Sequence, residues 1–199
     1  MVDLSMFPKK FKLDETREII VRGLEKSDED ELLRFMNELP PDERIYFRDD
    51  VTDPAVIHRW LHETSSTRVV PLIALHDDRI VANWSLHLTE KLWTRHLAYI
   101  RGIVTPDYRG FKVADKMVYQ LLTIAGDLNI ERVVIELVAQ QKRLLARFTN
   151  IGFQLEAVLK EWVKDHSGNY NDLIILSMKL QPAWKKLEEM ILNYGTHGG

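Results

Sequence analysis

The sequence predicts a single mixed α/β domain in which helices cover a central sheet. Segments with strand and helix periodicity follow in the order β-α-α-β-β-β-α-β-α-β-β, which is not a regular βαβ series. The segment ERVVIELVA (131–139) is apolar at nearly every position, which is typical of a central strand covered on both faces. At 199 residues, 45% of them hydrophobic, the chain is long enough to bury one substantial core.

The strands are predicted from alternation and from short apolar runs bounded by turn residues. Apolar and polar side chains alternate along 79–88, and Asp77-Asp78 joins this segment to the apolar run at 67–76, so the two predict a hairpin. A turn of sequence HSGNY links the last two strands. The remaining strands are predicted at 16–24, 95–104, 131–139, 153–165 and 171–180.

The first two helices are predicted from their caps and apolar stripes. Ser27 is predicted to cap the first, with an acidic residue three positions later, and Pro40-Pro41 ends it. The segment 44–52 is predicted as irregular or as a short helix. Asp53 and Pro54 then predict the N-cap and first position of a second helix.

Three more helices complete the predicted order. One follows the strand at 95–104, one covers about 141–150 with Gly152 as its C-cap, and Pro182 opens the last. The C-terminal helix packs either on its own domain or on a second copy, so a homodimer stays open. The predicted organisation is an N-terminal segment 1–15, a domain 16–181, and a C-terminal helix and flexible tail 182–199.

Composition excludes several classes of function. A net charge of -3 gives no electrostatic support for a nucleic-acid partner, and no apolar run approaches the about 20 residues of a membrane span. With no secretory leader visible, a cytoplasmic location is expected. The absence of cysteine excludes disulfides, thiolate metal sites and a cysteine nucleophile. His58 and His62 are four residues apart, but no third ligand is evident, so they are interpreted as surface histidines and no metal is expected.

The stretch VTPDYRGFKVADKM (104–117) is the strongest functional signal. A strand, a basic glycine turn and a helix follow one another, which is either an anion cradle or only a tight corner. The spacing matches neither a Walker loop nor a dinucleotide fingerprint. Gly102, inside the preceding strand, marks a bulge or a close approach, and a bulge would free backbone groups there for an extended amide-bearing ligand.

These motifs resemble the GNAT family of N-acetyltransferases over about Thr16 to Leu180. V-x-P-x-x-R-G (104–110) is similar to the family's strand-to-helix junction, and Gly152-Phe153 to its GF pair. The family's pyrophosphate motif, Q/R-x-x-G-x-G/A, falls on 109–114 with Lys112 at the central glycine. LPPDERIYFRDD and QQKRLLARFTNIGF more faintly resemble bacterial protein-lysine acetyltransferase domains.

The resemblance implies a mostly antiparallel mixed sheet, splayed near strand 95–104 and flanked by helices on both faces. It also implies acetyl-CoA as co-substrate and a primary amine as acceptor, either a protein lysine or a small molecule. The residues implied to bind the coenzyme are Gly102, Ile103 and Val104 for the pantetheine arm, Arg109, Gly110, Phe111, Lys112, Val113 and Ala114 for the phosphates, and Gln141 and Phe148 on the next helix.

The catalytic groups depart from the family pattern. Phe148 stands where the family's usual tyrosine acid is expected, and strand 95–104 holds no carboxylate. Glu136 on the central strand is the first candidate base, with a purely structural role as its alternative. Tyr99 is the second, and His87 with Glu90 could act through water. The function classes left open are an acetyltransferase working by direct attack in a ternary complex and a non-catalytic acyl-CoA sensor or interaction module.

Overall fold

An eight-stranded sheet organises the fold. The computed structural model describes residues 3–63, 68–165 and 167–180. The strands are β1 (Lys9–Lys12), β2 (Glu18–Gly23), β3 (Val69–His76), β4 (Arg79–Leu88), β5 (Leu97–Val104), β6 (Arg132–Val138), β7 (Gln154–Lys164) and β8 (Tyr170–Lys179). Their order in the sheet is β1-β2-β3-β4-β5-β6-β8-β7. Only the neighbours β5 and β6 run parallel, and the other pairs are antiparallel.

Helices cover both faces of this sheet, as predicted. The helices are α1 (Glu29–Glu38), α2 (Pro41–Arg44), α3 (Pro54–His62), α4 (Val113–Asp127) and α5 (Lys142–Ile151). On one face α4 packs over β4 and β5 in the larger apolar core, which also includes Phe148 of α5. On the opposite face α1 and α3 close a second core with Ile73 and Ile80. The predicted single mixed α/β domain is confirmed.

The first helix begins later than predicted, so the N-cap assigned to Ser27 is wrong. Ser27 lies inside a 3-10 turn, Lys26–Asp28, and Asp28 is the N-cap of α1. The Asp28 carboxylate accepts hydrogen bonds from both Nη atoms of Arg22, at 2.6 and 2.7 Å, and from the Glu25 amide at 2.8 Å. This bidentate pair ties β2 to the start of α1, and it explains why the acidic residue rather than the serine defines the helix start.

Other predicted elements agree with the structure. The hairpin formed by β3 and β4 is confirmed, and Asp53 caps α3 by accepting a hydrogen bond from the Ala55 amide at 2.9 Å. Gly152 ends α5 at a φ of 116°, as its C-cap role requires. Strand β1, which pairs with β2, was not predicted. The predicted C-terminal helix and tail lie outside the described residues. No described helix is long and apolar enough to cross a membrane.

Candidate functional site

The sheet divides between β5 and β6. These parallel strands hold together over three residue pairs, the last of which is Tyr99 with Val134. Beyond it β5 stays paired with β4 as far as Val104, and β6 stays paired with β8 as far as Val138. The two halves of the sheet therefore diverge into a cleft, and along it the facing backbone groups of β5 and β6 have no strand partner within the described chain. The predicted splay near 95–104 is confirmed.

Gly102 lies in the diverging part of β5, opposite Trp84 of β4. A Cβ at Gly102 would lie 2.1 Å from Cδ2 and 2.2 Å from Cγ of Trp84, so the indole ring fills the space of a side chain. The β4–β5 register passes this point without a shift, so a bulge is the wrong explanation and close approach of the ring is the right one. Trp84 is 4% exposed, and its Nε1 has no hydrogen-bond partner among the described residues.

The turn after β5 leads directly to the N-terminus of α4. Gly110 has a φ of 95°, and no atom lies within 4 Å of the position of its missing Cβ, so the turn is open rather than tightly packed. Lys112, the N-cap, is left-handed with a φ of 59° and makes no side-chain cap. The first amides of α4 are therefore available to an anion at the end of the cleft, where the helix dipole favours negative charge.

Arg109 is held by protein groups beside this turn. Its Nε donates to the Val104 carbonyl at 3.1 Å, and its Nη1 donates to Glu43 Oε1 at 2.8 Å, with Nη2 on the other carboxylate oxygen. Glu43 belongs to the short helix α2. The arginine predicted to assist a phosphate thus carries a carboxylate partner in this structure, and it joins α2 to the turn that precedes α4.

A partly buried carboxyl group, not anticipated from the sequence, lies in the first turn of α4. Burial raises the pKa of Asp115, and nearby positive groups, Arg147 first among them, oppose that shift. Arg147 Nε lies 3.3 Å from Asp115 Oδ1, without the alignment of a hydrogen bond.

On the other face of the cleft, Glu136 meets two arginines. Arg48, in the segment after α2, donates to Glu136 Oε2 at 3.1 Å, and Arg101 of β5 donates to the same oxygen at 3.4 Å. The contact between Arg101 and Glu136 spans the cleft just beyond the last paired residues of β5 and β6. The candidate base is therefore an ion-paired carboxylate at the apex of the cleft.

His87 lies beside this cluster, because it pairs with Tyr99 across the β4–β5 ladder. Burial lowers the pKa of His87 to about 4, and the positive charges of Arg101 and Arg48 add to the shift. Its Nε2 is 2.8 Å from Ser85 Oγ. The imidazole is therefore neutral at physiological pH and can exchange hydrogen bonds with water or a ligand at the apex without carrying charge.

A cavity of about 400 Å³ reaches the apex from the segment that follows β4. Tyr99 lines it together with Arg68, Glu90 and Trp93. Arg68 Nε donates to Glu90 Oε1 at 2.7 Å, and Trp93 is 80% exposed at the rim. Tyr99 thus belongs both to this cavity and to the last residue pair that holds β5 and β6 together. A ligand in the cavity would lie next to the point where the cleft begins.

Gln141 and Phe148, the two residues of the α5 region that were predicted to bind the coenzyme, both contact other protein groups. Phe148 is 1% exposed and packs edge-on against Phe153 at 5.6 Å and at a tilt against Trp84 at 6.2 Å between ring centroids. Gln141 is the N-cap of α5, and its Oε1 accepts the Val138 amide at 2.9 Å. Phe148 therefore contributes an apolar wall near Gly102 and Trp84, and Gln141 closes the end of β6.

Sequence reasoning missed the basic residues that surround the apex. Strand alternation places Arg101 on the same face as Tyr99, and this signal could have identified it once the β5–β6 register was assumed. No local signal identifies Arg48 or Glu43, because their partners are distant in sequence. Among the predicted residues, Tyr99 belongs to the last β5–β6 pair and Glu136 follows its partner Val134 by two residues, so both lie near the apex. Residues 109–114 form the turn after β5 and the start of α4.

Several solved structures share this fold at low sequence identity. The GNAT domain of PAT from S. lividans is 18% identical, with 87% of this chain and 97% of that chain covered and a TM-score of 0.69. Ribosomal-protein-alanine N-acetyltransferase from Brucella melitensis is 18% identical over 80% and 99%, with a TM-score of 0.71. A putative acetyltransferase from Salmonella typhimurium, solved with its cofactor acetyl-CoA, is 14% identical over 82% and 94%, with a TM-score of 0.70. At these identities the likeness shows the fold alone.

The family is shown by the sequence itself. No curated protein matches the chain. A family model described as Acetyltransferase (GNAT) family matches residues 32–153, which is more than half of the chain and includes the cleft, the turn and α4. The chain therefore belongs to the GNAT family of acetyltransferases.

Proposed function

We propose that this protein transfers the acetyl group of acetyl-CoA to a primary amine, on a protein lysine or a small molecule, by direct attack in a ternary complex. One observation carries the proposal: the cleft between β5 and β6 ends at an uncapped helix N-terminus. An elongated ligand fits this arrangement if its arm carries amides, which can pair with the strand edges of the cleft, and its end carries phosphates, which the N-terminus of α4 can bind. A cytoplasmic location agrees with this chemistry and with the intracellular supply of coenzyme A.

Acetyl-CoA would lie along β5 with its phosphates at α4. The backbone of 102–104 would pair with the pantetheine amides, along the part of β5 that has no partner in β6. The amides of 110–114 would receive the phosphates, with Arg109 exchanging its carboxylate partner for a phosphate oxygen. Gln141 and Phe148 would border the arm from the α5 side.

The acceptor would enter through the 400 Å³ cavity that ends at Tyr99. A lysine-like amine has a pKa near 10.4 and is deprotonated about once in 2,500 molecules at pH 7, so a proton acceptor near the apex accelerates attack. The chain has no cysteine, so no thiol-bound acyl-enzyme can form, and direct attack on the thioester is the most economical scheme. The thiolate of coenzyme A is a good leaving group, which lowers the demand for an acid where Phe148 stands.

Glu136 is the proposed base, and Tyr99 is the second proposed catalytic residue. Arg48 and Arg101 both contact Oε2 of Glu136, and within the described chain no hydrogen bond reaches Oε1. Oε1 is therefore the oxygen left to accept a proton from the amine or from a bridging water. The hydroxyl of Tyr99 would orient the amine, and neutral His87 would hold a water beside it.

A second candidate function is a non-catalytic acyl-CoA sensor of the same fold. Two observations favour it: Phe148 supplies no proton, and two guanidiniums already neutralise Glu136. Such a protein would need only the cleft, the turn and the N-terminus of α4, and it would bind acyl-CoA without a base at Glu136 or Tyr99. Turnover rather than binding therefore separates the two candidates.

Thiol release across a panel of small amines and lysine peptides tests the enzyme directly. Glu136→Gln is expected to lower turnover at least tenfold, most strongly at low pH, with nearly unchanged affinity for acetyl-CoA. Glu131→Gln, at an exposed position before β6, is the matched control and should behave as wild type. Normal turnover in Glu136→Gln would make Glu136 structural, and no turnover in wild type with tight acetyl-CoA binding would favour the sensor.

Calorimetry with acetyl-CoA tests the cofactor site separately. Gly110→Asp introduces a carboxylate and a side chain at a φ of 95° beside the proposed phosphate position, so affinity should fall at least tenfold. Gly168→Asp makes the same change at a φ of 82° in the turn between β7 and β8, where no atom lies within 4 Å of the added Cβ. If the two variants bind acetyl-CoA with equal affinity, the turn after β5 is only a tight corner and not a phosphate site.

A further inference from the structure

We propose that Glu29, His58 and His62 form a binding site for a divalent transition-metal ion, Zn²⁺ above all, which would clamp the N-terminus of α1 to α3. The site lies away from the cleft and does not depend on the acetyltransferase proposal. The histidine pair has no third ligand nearby in sequence. The fold supplies one from another helix, because Glu29 is the first residue of α1.

The three side chains already converge. His58 and His62 are one turn apart on α3, and their rings are stacked with centroids 4.3 Å apart and an interplanar angle of 18°. Glu29 Oε1 lies 3.0 Å from His58 Nδ1, and Glu29 Oε2 lies 2.9 Å from His62 Nε2. One ligand atom from each residue lies within 4.8 Å of the other two. Each side chain thus directs a donor atom at the same small volume.

The donor set suits zinc better than magnesium or calcium. Imidazole nitrogen and carboxylate oxygen are common zinc ligands, whereas the hard cations prefer oxygen alone. Zinc bonds of about 2.0–2.2 Å at tetrahedral angles separate ligand atoms by about 3.3 Å. One ligand atom from each residue lies within 4.8 Å of the other two, so the widest separation needs to close by at most about 1.5 Å to reach that spacing.

An ion at this site would act on the segment that borders the cleft. The chain between the ligands, residues 30–57, contains Glu43, which contacts Arg109, and Arg48, which contacts Glu136. A metal cross-link closes this segment as a loop and reduces its freedom to move. Because the three side chains are partly exposed, an ion can enter from solvent, and water would fill its remaining coordination position.

Calorimetric titration of the metal-free full-length protein with ZnCl₂ tests the site. We expect one ion per chain at this site with a micromolar Kd, and a higher Tm in the presence of zinc. Glu29→Gln and His62→Ala should each weaken the binding at least tenfold and abolish the Tm shift. His96→Ala, which removes an exposed histidine outside the cluster, is the matched control and should bind as wild type.

Cobalt substitution gives a readout that a structural role for these residues would not produce. Co²⁺ bound by two imidazoles and a carboxylate should give visible d–d absorption that zinc abolishes and that His58→Ala lacks. The three variants replace exposed or half-buried side chains, and circular dichroism verifies that each is folded. The proposal is overturned if wild type binds no zinc, or if Glu29→Gln, His58→Ala and His62→Ala all bind zinc as tightly as wild type.

Discussion

Replacing Gly102 with alanine is the most direct test of how the cleft is built. Glycine inside a strand normally costs about 0.5–1 kcal/mol relative to alanine, so the substitution would stabilise an unobstructed strand. Here the new Cβ would lie 2.1 Å from Cδ2 of Trp84. Carbon atoms in contact are about 3.5 Å apart, so the ring or the strand must move by about 1.4 Å. Trp84 is 4% exposed and packs within the larger apolar core.

The expected loss of stability follows from that displacement. Overpacking a buried site costs about 1–3 kcal/mol, and an overlap with three ring atoms belongs at the upper end of this range. With a urea slope of about 2 kcal/mol per molar, a loss of about 3 kcal/mol lowers the unfolding midpoint by about 1.5 M. Urea unfolding followed by circular dichroism, at fixed pH and temperature, measures this change.

A double-mutant cycle identifies the ring as the cause. Trp84→Leu removes the indole, so adding Gly102→Ala in that background should cost less than about 1 kcal/mol or even stabilise the protein. Gly110→Ala is the control, because it separates backbone strain from steric overlap. The φ of Gly110 is 95°, but nothing lies within 4 Å of its added Cβ. If Gly102→Ala alone is as stable as wild type, or if its cost is unchanged in the Trp84→Leu background, the packing argument is refuted.

Three further predictions concern Lys112, His87 and Asp28. Lys112→Gly should raise the free energy of unfolding by up to about 1 kcal/mol, because it relieves a left-handed residue with a φ of 59°; lower stability in urea would contradict this. The depressed pKa of His87, about 4, means that the unfolded chain binds the proton more tightly, so stability should fall by about 2–3 kcal/mol as pH decreases from about 6.5 to 4. His87→Gln should flatten that part of the stability profile, and an unchanged profile would count against a buried neutral imidazole. Burial alone would raise the pKa of Asp28, but hydrogen bonds from Arg22 and the Glu25 amide lower it. Asp28→Asn should therefore destabilise the protein at pH 7 and progressively less below about pH 4. An equal loss of stability at pH 7 and below pH 4 would argue against the ion pair.

Local patterns predicted most of the fold because their causes are local. The cap formed by Asp53 and Pro54, the C-cap at Gly152 and the alternation along 79–88 each depend on neighbours within a few residues. Strand β1 was missed because its four residues, KKFK, form a strand by pairing with β2 rather than by any pattern of their own. The mostly antiparallel, splayed form of the sheet was implied by the family resemblance and not by periodicity.

The site was only partly predictable, since its chemistry depends on register. The proposed phosphate site lies within one continuous stretch, so the sequence alone was enough to single out 109–114 as its candidate residues. The explanation of Gly102 required the knowledge that Trp84 is its partner in the β4–β5 ladder. The meeting of Arg101 with Glu136 required the β5–β6 register, and the approach of Arg48 required the path of a loop. Residue pairs that form across a sheet cannot be recognised from the local sequence around either residue.

The contacts that border the cleft differ in strength from those that hold its walls. Two apolar cores fix the strands and α4, whereas α2 and the segment after it reach the cleft through the ion pairs of Glu43 with Arg109 and of Arg48 with Glu136. Such partly exposed pairs contribute about 0–1 kcal/mol each, so a phosphate or an acceptor bound as proposed would displace them at little cost. A rigid cleft edged by exchangeable ionic contacts allows ligands to enter without disturbing the sheet. An ion held by Glu29, His58 and His62 would restrain the same segment at its ends and leave those exchangeable contacts free to respond.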